Sequence, residues 1–263
     1  MTVATSDAVR IAYDVRGTGE PLLLIHGLGY DRFGWGPVPD LLADEFQVVR
    51  FDNRGVGESD APPGPYTATA MAADALAVLD AAGLERAHVV GTSLGGMVAQ
   101  ELVLAHPGRV TKLVLACTTP GGARAYPIPE RTLAIFAAFA TLPVEEALRR
   151  FVENALADET VRTRPELVEE IYAYRLAHRP HPEAWQSQAA ASMGFDAFDR
   201  LAQIEVPALV LTGTADNVVD HRNSDLIAEA IPEARLERFE GLGHLFFWED
   251  PERFTRVVKE FLR

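Results

Sequence analysis

Gly91-Thr92-Ser93-Leu94-Gly95 follows directly on the apolar pair Val89-Val90 and sets a hydroxyl between two glycines. At the end of a buried strand and the start of a helix, this spacing makes a turn so tight that a Cβ two residues either side of the serine would clash with backbone. The hydroxyl then stands clear of the sheet beside a helix N-terminus, where negative charge is favoured. Such a corner suits a nucleophile. The pentapeptide alone equally fits a glycine-rich turn with an incidental serine, so the chemistry depends on partners elsewhere.

A serine hydroxyl becomes an effective nucleophile when a base accepts its proton. Seven histidines are available. His88 opens a strand pattern, His106 precedes Pro107 at a helix end, His178 and His181 fall in a proline-punctuated stretch, and His221 stands at a helix start. His26 belongs to a glycine-rich loop that it can hold by hydrogen bonding. His244, in Gly241-Leu242-Gly243-His244, lies between a strand pattern and the last helix. A loop at the carboxyl end of a strand is where an open α/β sheet places its site, so His244 is the expected base. The imidazole needs an acid to fix its tautomer. Asp216 follows the strand pattern 208–211 through Gly213-Thr214-Ala215, whereas Asp220 suits a helix cap. Cys117-Thr118-Thr119, after the preceding core strand, offers no acid. An oxyanion needs amide donors, and the candidates are Leu94 N–H at the helix start and Leu28 N–H within His26-Gly27-Leu28-Gly29.

Positioning these groups takes a sheet. Leu22–Ile25, Val48–Phe51, Val89-Val90, Leu113–Leu115 and Ala208–Leu211 are near-continuous apolar runs, as a parallel sheet covered on both faces requires. Val9–Val15 alternates instead, which predicts an antiparallel strand near an edge with Gly17-Thr18-Gly19-Glu20 as its turn. Helical spacing runs over 68–82 and 94–105. A final helix is capped by Asp250 and carries the stripe Phe254, Val257, Val258, Phe261 and Leu262. Repeated strand–helix–strand units predict a mostly parallel, doubly wound α/β sheet of about eight strands. From Pro120 to about Phe195 the rhythm breaks. That stretch is alanine-rich and punctuated by prolines, which predicts about four short helices between two core strands. The expected organisation is a core of residues 1–120 and 196–263 with a helical insert at 121–195.

The chain has 263 residues, is 48% hydrophobic and carries a formal charge of −14 with no run of Lys or Arg. Nucleic acid and anionic membrane surfaces are therefore not expected partners. Cys117 is the single cysteine, so neither an intrachain disulfide nor a cysteine-based metal cluster can form, and a buried, inert thiol is expected. The N-terminal residues show no secretory pattern, and no apolar run is long enough to span a bilayer. A soluble, cytoplasmic protein is expected.

His-Gly-Leu-Gly (26–29), Asp-Asn-Arg-Gly-Val-Gly-Glu-Ser (52–59), Gly-Thr-Ser-Leu-Gly-Gly (91–96), Gly-Thr-Ala-Asp (213–216) and Gly-Leu-Gly-His (241–244) together resemble the α/β-hydrolase superfamily. The order Ser93, Asp216, His244 is the nucleophile–acid–base order of that fold. The resemblance implies that the insert is a helical cap over the triad, that 52–59 is a structural loop, and that Arg54 is an ion-pair partner. Within the superfamily the chain is similar to small carboxylesterases and to enol-lactonases of aromatic-acid breakdown. This implies cleavage of a small-molecule ester or lactone through an acyl-enzyme on Ser93, with no metal or organic cofactor. A serine at 93 argues against branches with an aspartate nucleophile. Carbon–carbon bond hydrolases usually carry Trp after the catalytic histidine, and here Leu245 follows. These hydrolases and the cofactor-free perhydrolases or haloperoxidases share the triad and remain alternatives, as does a non-catalytic ligand binder. Phe136, Phe139, Trp185, Gln188, Met193 and Phe195 can line an acyl pocket or form the cap's own core. Arg124 can meet a substrate carboxylate or stand in solvent. Trp35 and Trp248 read as packing residues, and nothing in the sequence specifies an oligomeric state.

Overall fold

The computed structural model describes residues 2–139 and 141–263. Met1 and Ala140, at the start of the expected core and within the expected insert, lie outside the described residues. The strands are β1 (Thr2–Ser6), β2 (Val9–Arg16), β3 (Glu20–Ile25), β4 (Phe46–Phe51), β5 (Ala87–Thr92), β6 (Val110–Ala116), β7 (Ala208–Gly213) and β8 (Arg235–Phe239). They form one sheet in the order β1-β2-β4-β3-β5-β6-β7-β8. The pairs β1/β2 and β2/β4 are antiparallel and the others parallel. The mostly parallel, doubly wound sheet expected from the apolar runs is therefore present.

Val9–Arg16 is antiparallel and lies one strand in from the edge, as expected; the edge itself is β1, which pairs with it in register from Thr2↔Tyr13 to Ser6↔Val9. Asp7 and Ala8 turn the chain between them, both at positive φ (44° and 66°). The turn after β2 leads to β3, yet β2 pairs with β4, so no hairpin forms there.

Before the insert lie α1 (Val38–Leu42), α2 (Ala68–Ala81) and α3 (Leu94–Ala105). Between β6 and β7 the described residues form α4 (Glu130–Ala138), α5 (Val144–Ala155), α6 (Asp158–Thr163), α7 (Pro165–Ala177) and α8 (Pro182–Met193). That is five helices where about four were expected, since the six-residue α6 is too short to show a periodicity. After β7 come α9 (Arg222–Ala230), α10 (Phe246–Glu249) and α11 (Pro251–Leu262). Asp250 caps α11 as its sequence position suggests, accepting from Arg253 N–H at 3.0 Å.

The sheet buries both faces. Leu23, Ile25, Val49 and Val89 pack with Met71 and Val78 of α2 and Val98 and Leu102 of α3. Their strand neighbours Leu22, Leu24, Val48 and Val90 pack with Leu42 of α1, Phe246 of α10 and Phe254 and Val258 of α11. Successive side chains point to opposite faces, so burial on both sides is what makes these strands read as continuous apolar runs. Among the described residues, no helix is long and apolar enough to cross a membrane.

Candidate active site

Ser93 joins β5 to α3 at φ 54° and ψ −120°, a conformation that costs a residue with a Cβ about 1–3 kcal/mol. The flanking glycines admit it. A Cβ on Gly91 would lie 2.3 Å from Gly95 O, and one on Gly95 would lie 2.0 Å from Ile25 O. Neighbouring β6 braces the corner, because Ser93 N–H donates to Ala116 O (2.9 Å) and Thr118 Oγ1 donates to Ser93 O (2.8 Å).

His244 Nδ1 lies 2.7 Å from Asp216 Oδ2, and the Asp216 side chain is fully buried. The other carboxylate oxygen, Oδ1, accepts Val218 N–H (2.7 Å) and Val219 N–H (2.9 Å). With its carboxylate oriented in this way, Asp216 draws the imidazole proton to Nδ1 and leaves Nε2 as the basic nitrogen. The loops that carry the pair fit closely, since a Cβ on Gly213 would lie 2.2 Å from Gly243 O. Glu249 ties this loop to the start of α6, accepting from Gly243 N–H (2.7 Å) and from the N–H of the α6 N-cap residue Ala157 (3.0 Å). Cys117 is buried, and its burial pushes the thiol well above its ordinary range, consistent with an inert side chain.

The loop after β3 packs directly on the serine, as a Cβ on Gly27 would lie 3.1 Å from Ser93 Cβ. Gly27 O accepts Tyr30 N–H (3.3 Å) and Gly29 has φ +71°, the arrangement of a type II turn. Gly27 N–H donates to His26 Nδ1 (2.6 Å), and Gly29 N–H donates to Gln188 Oε1 (2.8 Å). Among the described residues, the amides of Leu28 and Leu94 have no hydrogen-bond partner. Leu94 is the chain neighbour of Ser93, and Leu28 follows the glycine packed against it. His26 is buried and stacked on Tyr30 (4.5 Å between ring centroids), and burial holds its pKa down to about 3. It is a neutral acceptor that holds its own loop. Behind it, Asn53 Nδ2 donates to His26 O (2.9 Å), and Arg54 grips the buried Asp74 through two bonds of 2.6 and 2.7 Å. The 52–59 loop has the ion-paired construction that the resemblance implied.

Ser93, His244 and Leu28 line a cavity of about 420 Å³, together with Met97, Leu133, Phe136, Phe151 and Trp185. Of the pocket candidates, Phe136 and Trp185 line this cavity. Phe139 does not line it and packs behind, against Trp185 (5.9 Å). Met193 lines the mouth and is 81% exposed, whereas Phe195 is buried beside Gly121, outside the lining. Arg124 lies away from the cavity, with its side chain 66% exposed beside Asp199 (3.5 Å) and over the Phe198 ring (4.8 Å). The alternative of a carboxylate contact through Arg124 therefore gives way to a solvated arginine, because its own loop turns it outward. Among the described residues no Lys or Arg lines the cavity, and its one carboxylate, Asp220, is paired with Arg222. Tyr30, Phe151, Val218 and Val219 also line it without having been singled out in the sequence. The two valines were the most accessible, since they follow Asp216 on the same turn.

Comparison with known proteins agrees with this construction. The model of the alpha/beta hydrolase fold matches residues 20–251. RutD of Azorhizobium caulinodans, named as a carbamate hydrolase, is 34% identical, with 95% of this chain and 93% of that protein aligned. A 2-hydroxy-6-oxononadienedioate/2-hydroxy-6-oxononatrienedioate hydrolase of Burkholderia vietnamiensis is 35% identical, over 97% of this chain and 91% of its own. The crystal structure of the enol-lactonase from Burkholderia xenovorans LB400 superposes with a TM-score of 0.87 at 27% identity, covering 99% of each chain. A serine corner, a buried carboxylate–imidazole pair and two free amides on an eight-stranded sheet thus sit within a match that spans most of the sequence, and the chain belongs to the α/β hydrolase fold family.

Proposed function

We propose that the protein hydrolyses uncharged carboxylic esters or lactones through an acyl-enzyme on Ser93. The observation that carries this reading is the Asp216–His244 hydrogen bond (2.7 Å), made by a fully buried carboxylate to an imidazole that shares one cavity with Ser93. His244 Nε2 accepts the hydroxyl proton as Ser93 Oγ bonds to the carbonyl carbon, and the C=O electron pair moves onto oxygen. Leu28 N–H and Leu94 N–H hold that oxyanion, each such donor contributing about 3 kcal/mol to the transition state. Collapse expels the alkoxide, which takes the proton from His244. Water, deprotonated by the same nitrogen, then attacks the acyl-enzyme, and a second collapse releases the acid and restores the serine. The insert at 121–195 acts as the cap that closes over this chemistry.

The lining of the cavity favours an uncharged substrate over a dioate of the kind for which the Burkholderia vietnamiensis relative is named. A carboxylate entering there would lose its hydration and meet no Lys or Arg among the described residues, and burying an unpaired charge is among the costliest steps in a protein interior. Leu245, where carbon–carbon bond hydrolases usually carry Trp, weighs the same way.

The test compares p-nitrophenyl hexanoate with its analogue bearing a terminal carboxylate on the acyl chain. The wild type is expected to turn over the neutral ester with kcat/KM at least about 100-fold higher, the ~2.7 kcal/mol of two decades. Ser93→Ala should abolish turnover of both. Ester hydrolysis that survives in Ser93→Ala contradicts the assignment, and equal rates for the two substrates contradict the uncharged class.

A further inference from the structure

Gln188 lies in the α8 helix of the insert, far along the chain from Ser93, and its side chain is completely buried. Burying a carboxamide is costly unless its hydrogen bonds are made. Here both ends are used, and on backbone atoms of two different core loops. Gln188 Oε1 accepts Gly29 N–H (2.8 Å), and Gln188 Nε2 donates to Arg54 O (2.8 Å). A second insert residue completes the grip, because the buried Arg175 of α7 donates through its guanidinium to Gly29 O. The same guanidinium lies 4.0 Å over the ring of Tyr30, which in turn stacks on His26. Both polar groups of Gly29 are therefore held by helices of the insert.

The place of Gly29 in its turn gives this grip a consequence. Gly27 to Tyr30 is a four-residue turn with Leu28 and Gly29 at its centre, and Gly29 N–H belongs to the central peptide. Types I and II differ by a flip of that peptide. The acceptor supplied by Gln188 favours the orientation in which Gly29 has positive φ and so fixes ψ of Leu28, whose own N–H, on the adjacent Gly27–Leu28 peptide, has no partner among the described residues.

We infer that Gln188 is a positioning residue for the oxyanion: it locks the Leu28–Gly29 peptide, and through it sets the Leu28 amide that receives the developing charge. The inference rests on the acyl-transfer reading above. It makes the insert a part of the catalytic geometry as well as a lid, because the helix that walls the cavity through Trp185 also fixes the donor. Misplacing a catalytic group by about 1 Å can cost 100-fold in rate, so loosening this turn should act on kcat.

Three variants test it: Gln188→Met, of similar length without polar atoms; Gln188→Asn, which keeps a carboxamide too short to span both loops; and Gln188→Glu, which keeps the acceptor for Gly29 N–H. Rates on p-nitrophenyl hexanoate are expressed per folded chain, with folding followed by circular dichroism. Gln188→Met should lower kcat by about 10- to 100-fold with KM within about threefold. The Ki of an aliphatic trifluoromethyl ketone, whose serine hemiketal carries the oxyanion, should rise by the same factor. Gln188→Glu keeps the acceptor for Gly29 N–H but loses the donor to Arg54 O, so it should recover part of the loss in kcat. Should Gln188→Met fail to fold, Gln188→Asn carries the same expectation with a smaller packing change. A variant that melts earlier yet keeps wild-type kcat and ketone affinity overturns the inference and leaves Gln188 a structural residue. Failure of the acyl-transfer reading is seen separately, as a wild type that turns over no ester or a Ser93→Ala that turns it over unchanged.

Discussion

His26 shows how a histidine in the loop that packs on Ser93 is kept neutral. Its ring is walled by Tyr30, Trp35 and Phe247, and burial lowers its pKa from 6.5 to about 3. Below pH 6.5 the unfolded chain protonates this histidine and the native chain does not. The unfolded state then binds more protons, and stability falls with acidification down to about pH 3. At ~1.4 kcal/mol per unit, wild type should lose about 2 kcal/mol more than His26→Asn between pH 6.5 and about 5. Urea unfolding of both proteins at the two pH values measures this, and parallel losses would place the ring in solvent contact. At this scale the sequence was legible where a residue's placement depends on local backbone. Ser93, Asp216 and His244 each sit on a glycine-bearing turn after a strand, and the turn chemistry is written in adjacent residues. Arg124 was not legible in that way, because whether an arginine faces a cavity depends on Asp199 and Phe198, which approach it only in the fold.

Elements are held to one another by buried polar contacts that periodicity does not report. Arg54 of the 52–59 loop meets Asp74 on α2, and the Asp74 side chain is fully buried. Asp74→Ala strands that guanidinium and should cost about 3–5 kcal/mol in urea unfolding. Replacing both partners by apolar residues should recover much of the loss, and a cost near zero for the single variant would mean that water reaches Arg54 freely. The strands read cleanly from sequence where both faces are buried, as in β3 and β5. β1 did not, because Thr-Val-Ala-Thr-Ser has no apolar run and its turn at Asp7-Ala8 uses positive φ without glycine. α6 escaped for a related reason, since six residues between two longer helices present no repeat.

Across the whole molecule, the proposed chemistry and the proposed selectivity come from different parts of the chain. Ser93, Asp216 and His244 stand on loops at the carboxyl ends of β5, β7 and β8 respectively, which the core fixes. The insert supplies most of the apolar lining and holds Gly29 through Gln188 and Arg175. The sequence showed the insert by its prolines but not which of its aromatic faces turns inward. Phe136 and Phe139 are three residues apart and both pack 5.9 Å from Trp185, yet of the two it is Phe136 that lines the cavity. A net charge of −14 around a cavity that no Lys or Arg among the described residues lines is consistent with uncharged substrates.

The most direct test of the acyl-enzyme mechanism is rapid-quench mixing of the wild-type protein with p-nitrophenyl hexanoate, followed by intact-mass and peptide analysis. The expected result is a mass gain of one hexanoyl group on the peptide that carries Ser93, with a matching burst of p-nitrophenol. Steady release of p-nitrophenol with no adduct on that peptide, or with the acyl group on another residue, would contradict Ser93 as the nucleophile.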